Sequence, residues 1–127
     1  MSSTSRQFAI NTPQNMSQTD ISSLTSYTVK NGDSQIYYNN STTINITLPT
    51  VATAKWNNYP IIYITNMSSS SSTLMTFNLA SGVKVKAPDK DNYVSNFSIR
   101  GGFNGYIIYT GNDQWMLQGV GANFDGC

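Results

Sequence analysis

Three observations predict an all-β chain. Short β-rich runs follow one another from Tyr27 onward, separated by Gly, Pro, Asn, Asp or Ser. No segment carries a helical pattern longer than two turns, and strong helix formers are scarce: five Leu, six Ala, five Lys and no Glu. The length, 127 residues, suits one domain with one core. The predicted architecture is a compact antiparallel β-sandwich or jelly-roll-like module of about nine short strands over residues 27–127. An extended or disordered polar arm, residues 1–26, precedes it.

Within the arm, Phe8, Ile10, Ile21 and Leu24 are the only sizeable hydrophobes apart from Met, and they show neither helical nor alternating spacing. The arm reads either as a plain terminus or as a tether that orders on a partner, with Phe8 and Ile10 as its anchors. The first strand, Tyr27–Val29, ends at the Asn31-Gly32-Asp33 turn, and Ser34–Tyr38 follows. Tyr37 and Tyr38 must point to opposite faces of that strand. Thr43–Leu48 alternates Ile44, Ile46 and Leu48 with Thr43, Asn45 and Thr47, the pattern of a strand with one wet face, and Pro49 stops it. Ile61–Thr65 is apolar on both faces and reads as a fully buried central strand. After a five-serine linker, Thr73–Leu79 alternates again, with Met75, Phe77 and Leu79 inward. Val83 and Val85 face inward between Lys84 and Lys86, and Phe97–Ile99 precedes the Gly101-Gly102 break. Tyr106–Thr110 and Gln114–Gln118 flank Gly111-Asn112-Asp113 as a hairpin. Ile61-Ile62-Tyr63 is echoed by Ile107-Ile108-Tyr109, which two central strands of one core explain.

Composition excludes several chemistries. Only 10% of residues are charged, against about 25% in an ordinary soluble domain. There is no His, and all six acids are Asp. Ser, Thr and Asn supply 46 of the 127 residues, so the surface is wetted by hydroxyls and amides. Without His no Ser-His-Asp or Cys-His pair exists. With Cys127 as the single thiol, neither the common zinc sites nor an internal disulfide framework can form. A formal charge of +1 is not the basic excess of a nucleic-acid binder. No apolar run approaches the ~20 residues of a membrane helix, and Met1–Ala9 is too polar for a signal peptide. No enzyme, cofactor, metal site, nucleic acid or membrane insertion is therefore expected.

The carboxylates sit where turns need them: Asp33 after Asn-Gly, Asp89 and Asp91 after Pro88, Asp113 in the hairpin. Asp89-x-Asp91-Asn92 lacks the glycine and terminal Glu of a helical calcium loop. Six N-x-Ser/Thr sequons occur, a number that so much Asn, Ser and Thr supplies by chance. The aromatic residues are the better lead. Trp56 and Tyr59 lie with Asn57 and Asn58 in the loop AKWNNYP, where rings beside amides could hold a flat sugar. The alternative is that these rings fill the core or a subunit interface. Trp115, within a strand, reads as core.

The order of motifs carries a family resemblance. Tyr27-Thr28-Val29 leads to Asp33-x-x-Ile36, then Ile44-x-Ile46-Thr47-Leu48-Pro49, then Pro60-Ile61-Ile62-Tyr63-Ile64-Thr65-Asn66. Val83-Lys84-Val85, a Tyr106–Tyr109 strand, Gly111-Asn112-Asp113-Gln114 and Trp115 close the series. Over about Tyr27–Gln118 this resembles a small β module of fibre, tail-spike and decoration proteins of tailed phages and some large DNA viruses. Two departures stand out: Asn57-Asn58-Tyr59-Pro60 replaces the glycine usual before the third strand, and the closing turn reads Asn-Asp-Gln before Trp115. The resemblance implies a virion-associated, often trimeric, non-enzymatic protein whose partners are other virion proteins of capsid or tail. It supplies no catalytic residues. The alternative function, read from the aromatic loop, is a lectin-like module for host-surface glycan.

Overall fold

The computed structural model describes residues 17–87, 91–119 and 122–125, and the chain is all-β. Its strands are β1 (Gln18–Asp20), β2 (Ser26–Thr28), β3 (Gln35–Tyr38), β4 (Ile44–Leu48), β5 (Ile61–Asn66) and β6 (Leu74–Leu79). Then follow β7 (Lys84–Lys86), β8 (Tyr93–Val94), β9 (Asn96–Arg100), β10 (Asn104–Gly111), β11 (Gln114–Gly119) and β12 (Ala122–Asp125). One four-residue helix, α1 (Val51–Ala54), lies between β4 and β5. All nine strands expected from the sequence are present; β1, β8 and β12 are additional.

The strands form a seven-stranded sheet, ordered β1-β3-β5-β10-β11-β7-β8, and a five-stranded sheet, ordered β12-β9-β6-β4-β2. From β1 to β6 the chain alternates between the sheets, so each circuit lays one strand on each. β1, β3 and β5 are therefore parallel neighbours, as are β2, β4 and β6. The turn at Asn31-Gly32-Asp33 carries the chain from one sheet to the other. Beyond β6 the pairings are antiparallel except β11 with β7, and β10–β11 is the expected hairpin. Both sheets are thus mixed, which corrects the antiparallel expectation. Alternation reveals which face of a strand is wet but not which way its neighbour runs.

The fold also begins earlier than residue 27. β1 pairs with β3, and Ile21 is wholly buried, its N–H donating to Tyr37 O at 2.9 Å. Gln18–Asp20 and Ser26 are strand residues, joined by a turn at Ser22-Ser23, so the last part of the expected arm is folded onto the sheets. Phe8 and Ile10 lie outside the described residues.

The core joins both sheets. Ile46, Phe77 and Phe97 stand side by side across β4, β6 and β9, with the two Phe rings stacked 4.6 Å apart. Ile36, Ile62, Ile64, Ile107, Leu117 and Trp115 enter the same cluster from the other sheet. Phe77 is fully buried. Tyr38 turns inward, its hydroxyl donating to Thr42 O, while Tyr37 faces outward.

The serine run is a built turn. Asn66 is fully buried, and its Nδ2 donates to Thr73 O at 3.0 Å and Ile99 O at 2.9 Å, while Ser68 N donates to its Oδ1 at 3.1 Å. Ser68 Oγ and Ser70 Oγ accept from the amides two residues on. Gly101 passes so close that a Cβ there would lie 2.0 Å from Ser70 O.

Candidate functional site

The two sheets show very different outer faces. On the five-stranded sheet, Ser26, Asn45, Thr76 and Ser98 form one cross-strand row, and Thr28, Thr47, Asn78 and Asn96 form the next. This is the hydroxyl-and-amide face that the composition predicts, and of these eight residues only Ser98 is buried.

The seven-stranded sheet instead presents aromatic and aliphatic rows. Register places Gln18, Gln35, Tyr63, Tyr106 and Gln118 side by side across five strands. The adjacent row runs Ile61, Ile108, Met116, Lys86, Tyr93. Ile61 is 44% exposed and Tyr63 40%. β5 is therefore a central strand with an open outer face, not the fully buried strand its apolar run suggested.

An open groove of about 480 Å3 lies beside the first of these rows, lined by the side chains of Gln35, Tyr63, Thr65, Asn104 and Tyr106 together with Gly105 and Gly119. The two tyrosine rings meet at 5.4 Å between centroids, tilted by 48°. Among the described residues no side-chain partner occupies Gln35, Thr65 or Asn104, so their amides and hydroxyl face the groove uncommitted. The lining holds no carboxylate and no cation. The size falls within the range of small-ligand sites, and rings among a few polar groups give both affinity and orientation. Such a lining suits a neutral, hydroxyl-rich ligand with an apolar face.

The two glycines explain how close β10 and β11 come at this point. Gly105 and Gly119 are cross-strand partners, and a Cβ on Gly119 would lie 2.7 Å from Gly105 Cα.

The loop proposed from sequence divides. Trp56 is 8% exposed and stands edge-on to Trp115, 5.3 Å away at 89°, with Tyr109 beside both. Its ring belongs to the core, which corrects its candidacy as a sugar contact. The indole N–H groups of Trp56 and Trp115 have no hydrogen-bond partner among the described residues, so ring packing holds this cluster. Asn57, Asn58 and Tyr59 are exposed. Asn57 N donates to Asn31 Oδ1 at 3.1 Å, and Tyr59 stacks on Tyr109 at 6.1 Å. Left-handed Lys55 and Asn58, at φ 57 and 54, turn the loop so that Trp56 points inward and Tyr59 outward.

No family model, characterised protein or solved structure matches this chain.

Three of the carboxylates, Asp20, Asp33 and Asp113, hold local structure. Asp33 accepts from Thr19 Oγ1, Tyr27 OH and Lys30 N at 3.0, 2.7 and 2.8 Å. Asp113 Oδ1 accepts Val51 N at 2.6 Å, at the start of α1. Ser22, through its hydroxyl and its N–H, bonds Asp20 and holds that carboxyl below its ordinary value. Burial, reinforced by Asp33, raises the Tyr27 phenol well above 10, and burial also raises Tyr38. Asp89 and Cys127 lie outside the described residues. Among those described, no three His, Cys, Asp or Glu side chains gather as a metal set.

Sequence reasoning missed Tyr63, Tyr106 and their polar neighbours. The signal was there: Ile61–Thr65 and Tyr106–Thr110 are apolar on both faces in a chain whose other long strands alternate. Such an excess reads as burial on both faces, yet alternate residues of β5 and β10 face outward.

Proposed function

We propose that the protein is a non-enzymatic attachment module, a β-sandwich at the surface of a virus particle that holds host-surface carbohydrate in the Tyr63–Tyr106 groove. The observation that carries the carbohydrate reading is the groove itself: two half-exposed tyrosine rings, uncommitted Gln35, Thr65 and Asn104, and no charge in the lining. A pyranose offers C–H faces to the rings and hydroxyls to the amides, while displacing no counter-ion. The virion setting rests on the motif order from Tyr27 to Trp115.

The test is a glycan array with the intact protein, followed by titration of any hit against Tyr63→Ala and Tyr106→Ala. Each variant is expected to bind at least tenfold more weakly. Unchanged affinity in both, or an array without hits, refutes the carbohydrate reading. Co-purification with virus particles tests the setting.

A specific observation also favours self-association. Ile61 and Met116 are exposed in one row with Ile108 between them, an apolar strip that a homotrimer would cover. Sedimentation showing a folded monomer at micromolar concentration would refute the trimer.

A further inference from the structure

The groove runs across the strands, not along one of them. Its lining comes from β3, β5, β10 and β11, neighbours in the seven-stranded sheet, so it spans three inter-strand steps, roughly 14 Å. The row beside it is longer by one strand, because β1 sets Gln18 next to Gln35. From Gln18 through Gln35, Tyr63 and Tyr106 to Gln118 there are four steps, about 19 Å. Two tyrosines hold the centre of that row, and glutamine amides stand on either side of them. Gln18 and Gln118 are exposed and Gln35 is half-buried. Among the described residues, none hydrogen-bonds the side-chain amides of these three.

We infer that the site takes an internal stretch of an extended, neutral polysaccharide, about four sugar units laid across β1 to β11, with Gln18 and Gln118 as its outermost contacts. This rests on the carbohydrate reading above and extends it from a sugar to a chain.

Spacing is the first reason. Each unit of an extended, equatorially linked polysaccharide advances by about one inter-strand step, roughly 5 Å, so successive units fall over successive strands. A coiled chain would leave so straight a row after a unit or two. Chemistry along the row is the second reason. The inner units meet Tyr63 and Tyr106, whose ring faces take the C–H surface of a pyranose. The outer units meet no ring, and are held by amides that both donate to and accept from hydroxyls.

The ends of the row give the third. A pocket for the terminus of a glycan needs a wall that stops the chain. Here exposed Gln18 lies beyond Gln35, exposed Gln118 lies beyond Tyr106, and Gly119 brings no side chain to the lining. Neutrality follows from the row itself, which holds no charge. Asp20, two residues from Gln18 and so on the same face of β1, would repel an acidic polymer at that end.

Titration calorimetry of the intact protein with cello-, manno- and N-acetylated chito-oligosaccharides of one to six units tests this. In at least one series, affinity is expected to rise with each unit up to four and then level off. Gln18→Ala and Gln118→Ala should each weaken the tetrasaccharide by about threefold or more, the loss of one hydrogen bond, and leave the disaccharide unchanged. Tyr63→Ala should weaken both. Both glutamine side chains are exposed and make no bond to the described residues, so these variants keep the fold. An affinity already maximal at one or two units would overturn the inference, as would a tetrasaccharide held at full strength by either glutamine variant. In both cases a Tyr63-dependent sugar site would still stand. Absence of binding at every length in all three series would overturn the inference, and loss of the array hits as well would remove the carbohydrate reading with it.

Discussion

Replacing Asn66 by Ala probes the joint between the serine turn and β9. The buried amide makes three hydrogen bonds, to Thr73 O, to Ile99 O and from Ser68 N. A typical protein hydrogen bond contributes about 0.5–1.5 kcal/mol net, and a buried group left without a partner costs about 1–3 kcal/mol. Thr73 O keeps the Gly101 N–H at 2.9 Å, so it is not orphaned. Ser68 N loses its acceptor, and Ile99 O loses one donor. The expected destabilisation is therefore about 2–3 kcal/mol, less than three full penalties. At roughly 3–5 °C per kcal/mol for a domain of this length, Tm falls by about 6–15 °C. Urea unfolding followed by the fluorescence of Trp56 and Trp115 measures it, with the slope m unchanged if only stability has moved. A loss below about 0.5 kcal/mol, the low end for one hydrogen bond, would show that the amide does not hold the turn. Asn66→Asp sharpens the test, because a buried carboxylate would face two carbonyl oxygens. Burial raises its folded pKa, so its extra deficit should shrink as pH falls toward about 4, the unfolded value, and vanish below it.

Three further outcomes are expected. Gly101→Ala should destabilise by at least about 2 kcal/mol, because its Cβ meets backbone at Ser70; Gly102→Ala, in open space at φ +86, should lose about 1–2 kcal/mol for its left-handed backbone alone, and the two denaturation midpoints decide. The raised phenol of Tyr27 contributes stability that is fully present below pH about 10 and is lost as pH climbs from there; Tyr27→Phe should therefore lose less stability between neutral and strongly alkaline pH, a difference that alkaline unfolding curves would show. Trp56→Ala should lower stability by about 3–5 kcal/mol as a core truncation, measured by denaturation, and at temperatures where it stays folded it should leave glycan affinity within twofold.

Much of this fold was legible in local pattern. Ile44, Ile46 and Leu48 alternate with polar residues, and they are indeed fully buried while Asn45 and Thr47 are exposed. Asn112 and Asp113 adopt left-handed backbone at φ 56 and 58 in the hairpin turn, as a tight two-residue connection requires. The β1 strand was not legible, since Gln18-Thr19-Asp20 has no apolar alternation and is held by pairing with β3. The site was only half legible. Tyr63 and Tyr106 stand among apolar neighbours whose burial depends on whether a second layer covers that face, and local sequence does not encode that.

By itself, the sequence determined the all-β class, the nine main strands and the exclusion of histidine chemistry, because these depend on residue type and on near-neighbour spacing. Only the tertiary structure decided the parallel winding, the inward turn of Trp56 and the open tyrosine face. Each of those depends on contacts between residues far apart in the chain, such as Gln35 with Tyr63 or Asp113 with Val51. A period of two specifies which side chains share a face; which face meets water is set by how the sheets close on one another.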